Sequence, residues 1–238
     1  MKKETLIIPD LHGQIEVVEK LVQFADSENM NIIFLGDLTD SFTKSIKKQI
    51  QTMELVLSYM YKGHYCLWGN HDLSYIYPAH HKCSGWTYKK AEKYSSIYDK
   101  FKFHENFIPY YYFENHKILI THAGLTDKLI PKAFKQRPIL FLQKESKRED
   151  FIEKSSLMKV GSSSGGWAKY GGITWMRPVD YFPLPGIRQV AGHTALRRGI
   201  NKSKKNLWII DTIEYGNKSV VKITTDGIIK EITYDEYK

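Results

Sequence analysis

The sequence predicts an α/β fold, on three observations. Short apolar runs alternate with helical periodicity through the first seventy residues. Further short apolar runs make up most of the C-terminal third. Run after run ends in Asp, His or Asn beside a glycine.

The elements follow in order. Leu6-Ile7-Ile8 reads as a buried strand. Ile15, Val18, Leu21, Val22 and Ala25 recur at three and four, the spacing of an amphipathic helix. Asn31-Ile32-Ile33-Phe34-Leu35 is a second strand. Ile46, Ile50, Met53, Leu57 and Met60 mark a long helix that stops near Gly63, and Tyr65-Cys66-Leu67-Trp68 is a third strand. This β-α-β-α-β order predicts a mainly parallel sheet with helices over both faces. Residues 73–116, rich in Tyr and Lys, are expected to hold one or two helices, with Tyr110-Tyr111-Tyr112 at a strand edge or in the core. Ile118-Leu119-Ile120 is another strand. Residues 126–186 lose their hydrophobic period and carry Gly161-Ser162-Ser163-Ser164-Gly165-Gly166 and Gly171-Gly172, so they read as a loop-rich insertion or cap on a single 238-residue domain. Val190-Ala191, Leu207-Trp208-Ile209-Ile210, Val220-Val221 and Ile228-Ile229 are strands, the last two joined by an Asp226-Gly227 hairpin turn.

Composition narrows the function classes. At 42% hydrophobic and 26% charged, the chain can bury a core. No apolar run approaches the roughly eighteen residues of a membrane span. Met1-Lys2-Lys3-Glu4 turns acidic before any long apolar stretch, so a cytoplasmic location without a secretory signal is expected. Cys66 and Cys83 suit neither a disulfide scaffold nor a zinc ribbon, and Cys66 reads as a buried strand thiol. The net charge of +9 favours an anionic partner, and on charge alone that extends to nucleic acid. Many of its lysines lie in solvated runs such as Lys202-Lys204-Lys205.

The chemistry sits at the strand ends: Pro9-Asp10-Leu11-His12-Gly13, Gly36-Asp37-Leu38-Thr39-Asp40, Gly69-Asn70-His71-Asp72, Thr121-His122-Ala123-Gly124 and Gly192-His193-Thr194. In an α/β sheet the carboxyl ends of the strands form the binding edge, so these groups are expected to converge. Carboxylates and imidazoles without a thiolate suit manganese, iron or zinc. A carboxylate has two oxygens and can bridge two ions, and ions about 3.5–4 Å apart can share a hydroxide and clamp a phosphate. Asp72 is expected to support the ligands or start a helix. His64, His80, His81, His104 and His116 are expected to be structural or surface residues. Trp86, Trp167 and Tyr170, in the loop-rich parts, are candidates to flank a base or a peptide.

In order and spacing, these motifs, spanning residues 10 to 212 with Ile210-Asp211-Thr212, resemble the calcineurin-like metallophosphoesterase superfamily. Within it they are most similar to the branch of lambda-type and bacterial Ser/Thr phosphatases and symmetrical diadenosine tetraphosphatases. The resemblance implies two mixed β-sheets flanked by helices with a dimetal site at the strand ends. It implies that Asp10 and His12 hold one ion, that Asp37 bridges, and that Asn70, His122 and His193 complete the second. It implies that His71 protonates the leaving oxygen and that Asp40 holds His71. A carboxylate beside an imidazole favours its protonated form on physical grounds as well. Two divalent ions are expected, manganese first, with iron, zinc or nickel as alternatives.

One position departs from the branch. Its second motif continues Asp-Arg-Gly, with the Arg gripping phosphate, whereas Asp40 is followed by Ser41-Phe42. A hydroxyl does not replace a bidentate arginine. Arg177, in Thr174-Trp175-Met176-Arg177, is the first substitute, with Arg197 and Arg198 behind it. Asn70 is a second contact to substrate. The expected function is dimetal hydrolysis of phosphomonoesters, first as a Ser/Thr protein phosphatase. The alternatives are hydrolysis of diadenosine tetraphosphate or another nucleotide, and action on nucleic acid as a phosphatase or phosphodiesterase. A non-catalytic scaffold comes last, because the ligand set is complete.

Overall fold

The computed structural model describes residues 2–77 and 81–238. In chain order its elements are β1 (Thr5–Ile8), α1 (Ile15–Ser27), β2 (Asn31–Phe34), α2 (Ile46–Tyr61), β3 (Tyr65–Leu67), α3 (Asn70–Ile76), α4 (Tyr88–Lys102), β4 (Phe107–Ile108) and β5 (Tyr110–Phe113). There follow β6 (Ile118–Thr121), α5 (Pro138–Glu145), α6 (Phe151–Lys154), β7 (Arg188–Ala191), β8 (Asn201–Lys204), β9 (Leu207–Ile209), β10 (Val220–Ile223), β11 (Ile229–Ile232) and α7 (Tyr234–Tyr237).

Two mixed sheets result. One has the order β11-β10-β1-β2-β3-β4, the other β5-β6-β7-β9-β8. Strands β1 to β4 run parallel, as do β6, β7 and β9. Both sheets therefore present carboxyl ends where the motifs begin. The Asp226-Gly227 hairpin joins β10 to β11 as the sequence suggested.

The expectation of helices on both faces of the first sheet is corrected. Leu6 and Ile8 of β1 face α1, α2 and α4, in a core with Leu21, Met53 and Phe101. Ile7, between them, points the other way and packs with Ile33, Ile120, Val190 and Val221 from both sheets. Neighbouring strand residues alternate faces, and here both faces are buried, one under helices and the other under the second sheet. A continuous apolar run is consistent with either cover, so the sequence did not distinguish them.

The second sheet is also covered on both sides. Ile118 and Ile120 face inward, whereas Leu119 faces outward onto Phe141, Leu142, Phe151 and Leu157. Those residues come from α5, α6 and the turns after them, so much of 126–186 packs on the outer face of this sheet. Tyr110–Phe113 is its edge strand. Helix starts follow local chemistry: Ser45 accepts from Lys48 N at 3.3 Å to open α2, and the Thr87 side chain accepts from Lys90 N at 3.2 Å to open α4.

Candidate active site

The strand ends bring Asp10, His12, Asp37, Asp40, Asn70, His71, His122 and His193 together. Two groups share Asp37: Asp10, His12 and Asp37, and Asp37, His122 and His193, with the ligand atoms of each group within 4.8 Å of one another.

The backbone here is bent out of its ordinary range. His12, Asp37, Asp40 and His193 have φ of 40°, 52°, 64° and 65°, in the left-handed region that L residues seldom occupy. Backbone contacts hold these turns, since Leu11 N and His12 N both donate to Asp37 O, at 3.1 and 2.9 Å. Asp72 lies behind, accepting from Asp37 N at 2.7 Å, Leu38 N at 3.1 Å and Tyr98 OH at 2.8 Å, which is the supporting role expected of it. Two glycines are required by close approach: a Cβ on Gly192 would lie 2.0 Å from Asp10 Oδ1, and one on Gly69 would lie 2.2 Å from Asp37 N.

The imidazoles are oriented through their other nitrogens. His12 Nδ1 donates to Thr39 O at 2.6 Å and His122 Nδ1 to Leu35 O at 2.8 Å, leaving Nε2 of each for the centre. Asp10 accepts from His193 N at 3.0 Å on both oxygens. Asn70 Oδ1 lies 2.8 Å from His122 Nε2 and 2.9 Å from His193 Nδ1, and Asp37 Oδ2 is 3.3 Å from His122 Nε2. With the Asn70 oxygen inward, its Nδ2 donates to Cys83 Sγ at 3.2 Å, and lone pairs from four side chains meet at one point. Turned over, the amide nitrogen would instead donate to both imidazoles. The oxygen-inward arrangement needs a cation or extra protons to be satisfied. His193 Nε2 is buried without a hydrogen-bond partner among the described residues. The residues fit divalent cations on these grounds.

The electrostatics agree. Burial, then the neighbouring Asp37, would raise Asp10, partly offset by His122, and its carboxyl stays above its ordinary range. Burial would raise Asp37 too, but the His122 charge, then that of His71, carries it below its usual value. Burial opposes charge on His122, yet Asp37 and Asp10 push it up to about 10. Burial, then the charges of His122 and Arg177, hold His193 well below its ordinary value and so neutral. Burial and Asp10 raise Asp211, a further carboxyl on the cavity wall. Such crowding of carboxylates and imidazoles is what bound cations relieve.

Beside the centre, His71 Nδ1 lies 2.9 Å from Asp40 Oδ2. Burial disfavours the imidazolium, but Asp37 and then Asp40 outweigh it and raise His71. Asp40 is fully enclosed and takes two more donors on Oδ1, Tyr75 OH at 2.6 Å and Lys90 Nζ at 2.9 Å. Lys90 Nζ also donates to Gly85 O at 2.8 Å, tying Asp40 to the loop that carries His81, Lys82 and Cys83. Sequence reasoning missed Tyr75 and Lys90. Lys90 sits in a Lys-rich stretch that reads as solvated, and only the fold brings it to residue 40.

A cavity of about 300 Å³ opens over these groups, and Arg177 lines it. Its guanidinium donates to Ser164 Oγ at 3.1 Å and to His193 O at 3.5 Å. Arg197 and Arg198 line a separate open cleft. Ser41, where the resemblance calls for arginine, donates to Glu214 Oε1 at 2.9 Å, so a carboxylate occupies that side of the wall. His81, expected to be structural or on the surface, lines the cavity and packs edge-on against Trp175 with ring centres 4.6 Å apart. His64 accepts from Ile32 N at 3.1 Å and is structural, whereas His80 lies outside the described residues. Cys66 and Cys83 are both buried and free. Among the described residues no helix is long and apolar enough to cross a membrane.

Comparison with known proteins bears on this site. The chain is 28% identical over 220 residues to an asymmetrical bis(5'-nucleosyl)-tetraphosphatase from Oceanobacillus iheyensis, covering 79% of this chain and 80% of that one. It is 31% identical over 129 residues to a protein of Encephalitozoon cuniculi named a probable serine/threonine-protein phosphatase, covering 52% of this chain and 27% of that one. Two solved structures share the fold. One is a Saccharomyces cerevisiae protein serine/threonine phosphatase (TM-score 0.58, 13% identity, 97% of this chain and 80% of that one). The other is a cold-active protein-tyrosine phosphatase from a Shewanella species (TM-score 0.55, 14% identity, with the same coverage). The calcineurin-like phosphoesterase family model matches residues 4–210. With that match over β1 to β9 and every strand-end motif, the chain belongs to the calcineurin-like phosphoesterase family and is a hydrolase.

Proposed function

We propose that the chain hydrolyses phosphomonoesters at a centre of two divalent cations, manganese first. Asp10, His12 and Asp37 would hold one ion, and Asp37, Asn70, His122 and His193 the other. The observation that carries this reading is the meeting of Asp37, Asn70, His122 and His193 lone pairs at one point, on a carboxylate shared with Asp10 and His12. When bound, two such cations polarise phosphoryl oxygens and lower the pKa of an attacking water.

The chain's own groups supply the rest. Arg177, on the cavity wall, grips the phosphoryl oxygens in place of the arginine absent after Asp40. Asn70 is a second contact there. His71, fixed through Nδ1 by Asp40, keeps Nε2 for the leaving group. Asp37 and Asp40 favour its protonated form, so the proton passes from Nε2 to the departing oxygen as the phosphorus–oxygen bond breaks. Asp40 touches no reacting atom in this reading, and it orients His71.

Protein phosphoserine and phosphothreonine are the first substrate class. A nucleotide is the second, favoured by a relative that matches most of both chains and is named for a dinucleoside tetraphosphate. The test is a manganese-loaded panel of p-nitrophenyl phosphate, a bis-ester analogue, a phosphothreonine peptide and diadenosine tetraphosphate, each run beside His71→Asn. Turnover by the wild type and loss in His71→Asn at unchanged metal content is the expected outcome. Undiminished turnover in a metal-loaded His71→Asn removes the acid assignment, and a protein that binds neither ion returns the scaffold reading.

A further inference from the structure

Beside the catalytic cavity lies a second cleft of about 350 Å³, lined by Met158, Val160 and Trp167 and by the charged Glu153 and Lys159. The two spaces share His81 as a common wall, and Ser164 of the cavity is followed directly by Gly165 of the cleft. Cations flank the join, with Arg177 bonded to Ser164 and Lys82 lining the cavity next to His81.

Trp167 is unusual among the five tryptophans. Trp68 packs on Phe107 and Phe151, Trp86 on Tyr75 and Tyr88, Trp175 on His81 and His193, and Trp208 lies under the Lys202 ammonium. Trp167 is fully exposed. Its loop is nonetheless built. Ser162 N donates to Ala168 O at 2.7 Å, Ala168 N donates to Val160 O at 3.2 Å, and a Cβ on Gly166 would meet Val160 O at 2.1 Å. The indole is thus held in water on a defined turn. Space is open at Gly165, two residues earlier, where a Cβ would meet nothing within 4 Å.

We infer that this cleft is a nucleoside subsite, in which a base stacks on Trp167 while its phosphate reaches past Arg177 and His81 to the strand-end centre. The inference rests on the phosphoester reading and moves the second of its substrate classes, the nucleotide, ahead of the phosphoprotein. A flat, weakly polar ring suits an exposed indole, and base–aromatic stacking holds any base without reading its edges. The cations at the join suit the charged linker between base and reacting phosphorus. Phosphoserine or phosphothreonine alone has no flat group to place in the cleft.

The test is calorimetric titration of the manganese-loaded protein with AMP and with ribose 5-phosphate, each as its non-hydrolysable methylenephosphonate analogue so that the centre cannot cleave it; the two differ in the base. Wild type is expected to bind AMP about tenfold more tightly, as stacking of one base provides. Trp167→Ala is expected to abolish that difference and Trp167→Tyr to keep most of it, with ribose 5-phosphate binding and p-nitrophenyl phosphate turnover unchanged in both. Equal affinity of wild type for the two ligands overturns the inference, as does an AMP advantage that survives Trp167→Ala. A phosphothreonine peptide that loses affinity in Trp167→Ala while AMP does not also overturns it and makes the cleft a peptide site. Failure of the hydrolytic reading is separate, because it appears as absent p-nitrophenyl phosphate turnover whatever AMP does.

Discussion

The strand-end centre and the walls of the cavity above it are held by different means. Four of the six ligands proposed for the centre are fixed by backbone partners: Thr39 O for His12, Leu35 O for His122, His193 N for Asp10, and His71 N, at 2.9 Å, for Asp37 Oδ1. The walls come from loops at 81–87, 161–177 and 211–215 and are joined by side chains, such as Ser41 to Glu214, Lys90 to Gly85 and Arg177 to Ser164. The difference separates what reaction is run from what it is run on. A backbone-clamped centre resists change, whereas side-chain clamps can be exchanged one at a time without disturbing a strand.

That separation can be broken or sharpened by experiment. The largest effect belongs to the centre. His71→Asn should lower kcat about 10²–10⁴-fold on every substrate with metal content unchanged, as loss of a general acid does; an effect confined to one substrate would move His71 to the wall. Next comes Arg177→Met, which should cost about 10–100-fold in kcat/KM for all phosphoesters, the scale of a charge-assisted hydrogen bond. If only one substrate suffers, Arg177 grips the leaving group rather than the phosphoryl group. Lys90 links the two regions. Lys90→Met should lower kcat about tenfold with KM little changed, as loss of a partner behind an active group does, and Lys90→Arg should restore much of it. A rise in KM alone would show that Lys90 serves the loop and not Asp40.

The smallest effect is one of stability and concerns the centre without its cations. Burial and then Asp37 push Asp72 from 3.8 up to about 6, and Asp37 and Asp10, against burial, push His122 from 6.5 up to about 10. A group whose folded pKa is raised contributes stability below its ordinary value and loses it as pH climbs through the folded one. Asp37 and Asp40 are shifted down, so their contributions are already complete above 3.8. His193, held well below its ordinary value, adds stability as pH rises towards 6.5 and opposes the Asp72 loss, so the Tm of metal-stripped protein should fall chiefly as pH rises from 6.5 to about 10. Added divalent ions should raise Tm most at the alkaline end. A flat Tm with no ion effect would mean that the crowding at the centre is relieved some other way.

The centre was far more legible in the sequence than its walls. Strand-end residues announce themselves locally, because Asp10, Asp37, Asn70, His122 and His193 each follow an apolar run and lie next to or near a glycine. The cover of the first sheet was not legible, since Ile7 looks the same under a helix or under a second sheet. Tyr75, Lys90, Ser41 with Glu214, and the contact of Cys83 with Asn70 were also hidden. Each acquires its meaning from a partner that only the tertiary fold brings near, and nothing in a Lys-rich helix singles out residue 90. Arg177 was reached through the resemblance, and its place on the cavity wall sets it apart from Arg197 and Arg198.

The left-handed backbone at His12, Asp37, Asp40 and His193 has a bearing on how inactive alleles of this protein should be chosen. Asparagine and glycine accept that conformation readily, whereas a β-branched residue does not. Asp37→Asn and Asp40→Asn therefore keep the turn while removing the charge and one acceptor oxygen. Valine at either place removes charge and also forces the turn, mixing a chemical lesion with a folding one. In a saturation library, abundance and activity would part company at these four positions according to backbone tolerance. At Asn70, in the first turn of a helix, that sorting would be missing.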